Sequence, residues 1–286
     1  KYVVSMSWVG NQITHEISAL SKFSLAKYWK DFSSVAKEFS VPGQNIVYAD
    51  TAGNIGWRAA ALIPIRKEGG SLLPSPGWDP DYDWKVFIPF EEMPYLYNPN
   101  KGYIATANNK IVDDTFPYYI SNQWAEPSRI ERIEEYIQSK EKMSVNDMKS
   151  LQNDMLSSFA REVTPNIIKH FPNNLKGNKK AAYNYLKNWD YIESHNSAAT
   201  LVFHVILDEL LNNIYKDELD LVHEKAFDAL VHFSMLPYRN IHWVLSNQKS
   251  SWIDDVRTKN KTETLEEIIL RSFESAISRI ENEVGI

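Results

Sequence analysis

Tyr2-Val3-Val4-Ser5-Met6-Ser7-Trp8-Val9 opens the chain with the alternating pattern of a strand. The period then lengthens: Leu25, Trp29, Phe32, Ala36 and Phe39 recur at helical spacing, with Ser24 placed to cap the start and Pro42-Gly43 to end the helix. Asn45 to Asp50 and Ile55 to Pro64 read as two strands around Thr51-Ala52-Gly53-Asn54, a hairpin whose Gly supplies the turn. From Pro64 to Asn100 no period survives, because seven of the 13 prolines are interleaved there with Trp78, Tyr82, Trp84, Phe87, Phe90, Tyr95 and Tyr97. Proline removes backbone donors, while so many aromatics are costly to leave in water, so an ordered, packed excursion is expected rather than a flexible linker. Gly102-Tyr103-Ile104-Ala105-Thr106-Ala107-Asn108-Asn109 follows, reading as a short strand of small side chains that ends in two adjacent carboxamides.

Beyond Asn109 the spacing is helical. Ser128 and Glu131 form a capping box ahead of Ile130, Ile133 and Ile137, which places Arg129 in the first helical turn. Ser144 and Asp147 introduce a helix carrying Met148, Leu151, Met155 and Phe159 as a core stripe, expected to stop before Pro165. Ala182, Tyr185, Leu186 and Trp189 mark another. Ala198 to Tyr215 is apolar on nearly every face except at His204, Asp208, Glu209, Asn212 and Asn213, so it reads as a buried helix. A membrane span needs about 20 largely apolar residues, and these positions interrupt it too often. The last helix starts at the Thr264/Glu267 capping box and buries Leu265, Ile268, Ile269, Ala276 and Ile280. The chain therefore reads as α+β, with a sheet and a Pro/aromatic-rich loop in residues 1–129 and a mainly α-helical part in residues 130–286.

Composition narrows the chemistry. At 286 residues and 43% hydrophobic content the chain can build a sizeable core. A net charge of -6 with no block of Lys and Arg argues against nucleic acid or an anionic membrane as partner. The absence of Cys excludes disulfides, thiolate nucleophiles and Cys-ligated metals but leaves the compartment open. Lys1 leads straight into the first strand pattern, a start that looks cut from a longer protein.

Standard motifs mostly fail: G-x-S-x-G, P-loop, G-x-G-x-x-G and H-E-x-x-H do not occur. His204 and Asp208 stand one helical turn apart, as two metal ligands would, but no third ligand is evident and a His paired with a carboxylate is commonly structural. Asp79-Pro80-Asp81-Tyr82-Asp83 resembles the opening of a calcium loop, yet Trp84 and Phe90 occupy the positions where an EF-hand needs Gly and Glu, which leaves carboxylates decorating turns. Asn108-Asn109 carries two readings. Asn tolerates left-handed backbone and bonds its own main chain, which suits a turn, while its neutral N–H donor suits stabilisation of an oxyanion.

Read together, the front half resembles the penicillin acylase family, amidohydrolases of the N-terminal nucleophile class. The resemblance rests on ordered pieces: Ala26-Lys27-Tyr28-Trp29, Gln44 to Asp50 with Gly53-Asn54-Ile55-Gly56-Trp57, Ile63-Pro64-Ile65-Arg66, Pro76-Gly77-Trp78, Asp83-Trp84-Lys85, Ile88-Pro89-Phe90-Glu91, Tyr97-Asn98-Pro99 and Gly102 to Asn109. It continues through Trp124, Arg129 and Asn188-Trp189-Asp190. Val86 and Tyr191, where relatives usually place Gly, and Ala61, at another small-residue position, depart from the pattern in backbone freedom more than in chemistry.

The resemblance implies part of an αββα sandwich of antiparallel sheets followed by a mainly helical region. It implies hydrolysis of a linear amide through an acyl-enzyme, the nucleophile being an N-terminal Ser whose own α-amino group, with an ordinary pKa of about 8, serves as base. Asn108 then matches the side-chain oxyanion donor and Arg129 an electrostatic support, while Leu20 and Gln44 fall near positions that shape the acyl pocket. No cofactor is required. Relatives hold one structural calcium, but Asp113 and Asp114 fall earlier than its ligand spacing and Tyr118 and Tyr119 occupy it, so no metal ligand is assigned. The implied partners are a small N-acylated substrate, such as a β-lactam or an acyl-homoserine lactone, a small subunit and the remainder of the large subunit. The implied location is periplasmic or extracellular. Ser5 and Ser7 lie inside the first strand pattern and do not replace a nucleophile bearing a free α-amino group, so residues 1–286 alone are expected to be inactive. The competing reading is a non-catalytic small-ligand-binding or scaffold protein of the same fold.

Overall fold

The turn around Gly53 organises the sheet. In the computed structural model, which describes residues 3–67, 73–232 and 235–284, strand β1 (Gln44–Ala49) pairs antiparallel with β2 (Ile55–Ala60), from Gln44 opposite Ala60 to Ala49 opposite Ile55. Gly53 takes φ +89°, and the Asp50 carboxylate closes the turn by accepting the Ala52 and Asn54 N–H groups at 2.9 Å each. On the other side, β2 pairs antiparallel with β3 (Tyr95–Tyr97). That strand lies inside the Pro-rich excursion expected to be irregular; between Pro94 and Pro99 the chain is free of proline long enough to pair. Asn98 ties it down, its Oδ1 accepting the Ile55 N–H and its Nδ2 donating to Asn54 Oδ1, both at 2.9 Å.

As the middle strand, β2 is covered on both faces. Ala60 packs with Ala19 of helix α1 (Glu16–Phe23), Ala36 of α2 (Trp29–Ala36) and Phe39. Trp57 and Ala59 pack on the other face with Ile88 and Met93, joined by the partly buried Ile104 and Ile111. Gly56 is required by close approach, since a Cβ there would stand 2.3 Å from the Trp29 ring. Arg58 is buried between the Phe90 and Tyr95 rings, 3.9 and 4.8 Å from their centroids, and donates to Ser33 Oγ at 3.0 Å.

Several expectations for this half need correction. Among the described residues no strand pairs with residues 3–8, and Val3 and Met6 are exposed. Lys1 and Tyr2 lie outside the described residues. α2 begins at Trp29 rather than after Ser24, whose hydroxyl instead donates to the Ser21 carbonyl at the end of α1. α1 itself carried no legible stripe, because Ile17 and Leu20 face outward and only Ala19 is buried. Gly102 to Asn109 is not a ladder strand: Tyr103 to Thr106 run without strand pairing, and the chain bends at Ala107-Asn108.

Chain contacts separate residues Lys1–Trp124 from Ala125–Ile286 as two compact units. The second is helical, with α3 (Ser128–Gln138), α4 (Val145–Gln152), α5 (Ser158–Ile168), α6 (Gly177–Lys187), α7 (Ala198–Val222), α8 (Ala226–His232), α9 (Met235–Asn247) and α10 (Leu265–Val284). α7 and α10 form its central pair, bridged by Asn213 Nδ2 donating to Ser272 Oγ at 2.9 Å. Phe203 and Phe273 are almost fully buried, the first against Trp189 and Phe159 and the second stacked on Phe171 at 4.0 Å.

Local capping held where both partners of the box are present. At α4, Ser144 Oγ accepts the Asp147 N–H while Asp147 accepts the Ser144 N–H, and Thr264 with Glu267 does the same at α10. At α3 the N-cap is Pro127, which gives no side-chain cap; the preceding Glu126 carboxylate accepts the Ser128 N–H at 3.0 Å and its hydroxyl, so Ser128 does not form the expected box with Glu131. The Met148 stripe is also corrected: α4 buries none of its residues, Met155 is in the following loop and exposed, and Phe159 belongs to α5, which contains Pro165 rather than stopping before it. Tyr191 takes φ +62°, the conformation for which Gly is ordinarily kept, and its ring lies 5.4 Å from Trp189. Among the described residues no helix is long and apolar enough to cross a membrane.

Candidate functional site

The stretch expected to hold the oxyanion donor begins at Gly102, in the left-handed region at φ +72°. Tyr103 to Thr106 then lead away, and Ile104 anchors them to the face of the sheet carrying Trp57 and Ala59. Apolar burial on this side fixes the path of the backbone. Ala107 is buried, and Asn108 turns the chain at φ +62° with its side chain on an exposed residue. A non-Gly residue rarely adopts that conformation, and Asn is among the few that tolerate it.

Asn109 shows how the turn is held. Its Oδ1 accepts the Ala107 N–H at 3.0 Å and its Nδ2 donates to the Lys110 carbonyl at 3.0 Å, so one carboxamide clamps the backbone on both sides of Asn108. The turn reading applies to both residues, since Asn109 bonds the main chain and Asn108 carries the left-handed backbone. A signal for this existed in the sequence, since Asn bonding its own main chain was the ordinary expectation for either position. Two residues upstream, Thr106 Oγ1 is buried without a hydrogen-bond partner, an unsatisfied group that costs on the order of 1–3 kcal/mol.

The remaining candidates stand on separate elements. Gln44 is exposed at the first position of β1, opposite Ala60. Leu20 is 57% exposed on α1. Arg129 is the second residue of α3 in the helical unit, exposed, with the Glu126 carboxylate at the same helix start. A cation in the first helical turn opposes the helix dipole, and an anion beside that turn offsets this.

The metal readings meet committed side chains. His204 Nε2 lies 3.3 Å from Glu193 Oε1, and this partner raises the imidazole pKa against the opposing effect of burial. Asp208 lies 3.5 Å from Arg279 Nη1. The Asp113 carboxylate accepts the Thr115 N–H and hydroxyl, and Asp114 pairs with Lys110, a donor set that does not fit a calcium site. Asp79 accepts the Asp81 N–H at 3.0 Å in a turn, and Asp81 pairs with Lys67. Among the described residues no group of three His, Asp or Glu side chains is placed to hold a metal ion.

Comparison with known proteins decides the family, because the family described as Penicillin amidase matches residues 1–285. The chain belongs to the penicillin amidase family. Among other members, the acyl-homoserine lactone acylase QuiP of Pseudomonas fluorescens (strain Pf0-1) is 30% identical over 282 residues, covering 94% of this chain and 34% of that protein. The penicillin acylase 2 proenzyme of Pseudomonas sp. (strain SE83) is 38% identical over 113 residues, covering 40% of this chain and 15% of that protein. The solved structure of a thermostable penicillin G acylase from Alcaligenes faecalis matches 95% of this chain and 53% of its own with a TM-score of 0.69 at 22% identity. This likeness shows the fold: an α+β chain of the N-terminal nucleophile hydrolase type, as the penicillin amidase resemblance implied. The chain spans about a third of the length of the curated relatives it matches over most of its residues, 34% in the case above.

Proposed function

We propose that the protein containing this chain hydrolyses the linear amide of a small N-acylated compound through an acyl-enzyme. The observation that supports the reading is the clamped turn at Ala107 to Lys110, which holds the exposed Asn108 on a segment packed onto the central sheet of a penicillin amidase family member. In this reading the Asn108 Nδ2–H donates to the oxygen of the tetrahedral intermediate as its charge develops. The family resemblance also implies an electrostatic role for Arg129 and an acyl pocket near Leu20 and Gln44. The nucleophile is an N-terminal Ser that is not one of residues 1–286; its α-amino group takes the hydroxyl proton through a water and returns it to the leaving amine. Residues 1–286 alone are then inactive, and the small subunit and the rest of the large subunit complete the site.

The relatives that match along most of the chain are named acyl-homoserine lactone acylases, and shorter matches are named penicillin acylases. An N-acyl-homoserine lactone is therefore the first substrate to test and a β-lactam side-chain amide the second. In the full-length protein, assayed on both and on a chromogenic phenylacetyl anilide, Asn108→Ala lowers kcat by about 10²–10³-fold, the usual effect of removing one oxyanion donor. Equal rates for the two proteins, or binding without turnover in either, would assign the fold to a non-catalytic ligand-binding role instead.

A further inference from the structure

We infer that Asn109 is a positioning residue for the proposed reaction, acting through Asn108; the inference rests on the reading of Asn108 as oxyanion donor. Two contacts carry it. Asn109 Oδ1 receives the Ala107 N–H and Asn109 Nδ2 reaches the Lys110 carbonyl, each at 3.0 Å, so the carboxamide spans the residue whose side chain is to meet the substrate. Asn108 between them holds φ +62°, a conformation that an L residue leaves readily unless neighbouring groups keep it there. Ala107 is buried on the preceding side, which fixes one end of the turn, and the Asn109 clamp fixes the other.

The consequence is geometric. A donor stabilises an oxyanion only at about 2.7–3.1 Å from where the charge develops. If the backbone of Asn108 relaxes to negative φ, its Cα–Cβ bond swings away and the donor leaves that position. A displacement of about 1 Å in such a group is worth roughly 100-fold in rate. Asn109→Ala removes both clamp bonds, and Asn109→Asp keeps the acceptor for the Ala107 N–H while losing the donor to Lys110. Because an oxyanion donor acts most strongly on the charge that develops in the transition state, the loss falls on kcat more than on KM.

The test is a double-mutant cycle in the full-length protein, reading single-turnover rates and KM on the N-acyl-homoserine lactone, with thermal melting in parallel. Asn108→Gly removes the donor while tolerating positive φ. The expected result is that Asn109→Ala lowers kcat by about 10–100-fold with KM changed less than about threefold, and that Asn109→Asp retains part of the rate. In the Asn108→Gly background the same Asn109 substitutions change kcat by less than about twofold, because the donor they position is gone. An equal drop in both backgrounds would make Asn109 a support for the fold alone and overturn the inference, as would an unchanged kcat in Asn109→Ala. If Asn109→Ala does not fold, Asn109→Asp carries the same cycle. If Asn108→Gly itself leaves kcat unchanged, the oxyanion reading fails, an outcome distinct from failure of the clamp alone.

Discussion

Replacing Gly56 by Ala puts a methyl group where Trp29 already stands. The added Cβ would lie 2.3 Å from Cζ3, 2.5 Å from Cε3 and 3.0 Å from Cη2 of that ring. Carbon atoms pack at about 3.5–4.0 Å, so the ring would have to retreat by roughly 1 Å. Its surroundings resist this: it stacks on Tyr97 at 5.1 Å and on Phe32 at 5.9 Å, and is tilted against Tyr48 at 5.7 Å. β2 cannot yield either, because it is paired on both edges. Overpacking of this kind costs about 1–3 kcal/mol, partly offset by the roughly 0.5–1 kcal/mol that Ala gains over Gly in a strand interior. Because neither the ring nor the strand can yield, the upper part of that cost applies and a net loss of about 1–2.5 kcal/mol is expected. Denaturant-dependent hydrogen exchange at the β2 amides reads the stability of this unit directly. In a Trp29→Leu background the same substitution should be neutral or slightly stabilising. An equal loss in both backgrounds, or none in the unsubstituted protein, would refute the steric argument.

Two further predictions concern pH. The Glu16 carboxylate accepts the Ser40 and Val41 N–H groups at 3.0 Å each; these bonds, after the larger effect of a hydrogen bond from Thr14 and against burial, lower its pKa from 4.5 to about 2. A depressed carboxylate stabilises fully above its unfolded pKa, so the stability gap between the protein and Glu16→Gln is constant near neutrality and closes as pH falls from 4.5 toward 2. Denaturation midpoints across that range check it, and a gap independent of pH would contradict it. Glu218 shows the opposite sign: burial, followed by the adjacent Asp217 carboxyl, raises its pKa to about 7. The neutral Glu218 carboxyl shares a hydrogen bond with Asp217, which ionisation would break. Ionising Glu218 is therefore unfavourable in the folded chain, stability falls as pH rises from about 4.5 through 7, and Glu218→Gln is more stable than the parent at pH 8 but not at pH 4. Equal melting temperatures at pH 8 would refute this.

Local chemistry was the legible part. The Gly53 hairpin and the capping boxes at Ser144/Asp147 and Thr264/Glu267 each depend on residues a few positions apart, so sequence alone locates them. At the candidate site, the sequence identified the Asn pair but not the two backbone bonds of the Asn109 carboxamide. Which carboxamide bonds backbone depends on the direction the chain takes after Ala107, and burial of Ile104 and Ala107 against their surroundings sets that direction.

The sequence by itself determined the family, through an ordered series of Trp, Gly, Pro and Asn positions spanning the front half, and with it the fold class. It also located the Gly53 turn and the starts of α3, α4, α7 and α10. Only the tertiary structure decided which apolar periods are buried: Leu25, Met148 and Met155 carry helical spacing yet face solvent, while Ala19 on a helix with no legible stripe is fully buried. It likewise turned three residues of the Pro-rich excursion into β3 and denied a ladder to Gly102–Asn109. The physical reason is common to all of these. Periodicity and capping are satisfied within a segment, whereas burial and strand pairing require a second surface, whose position the segment does not encode.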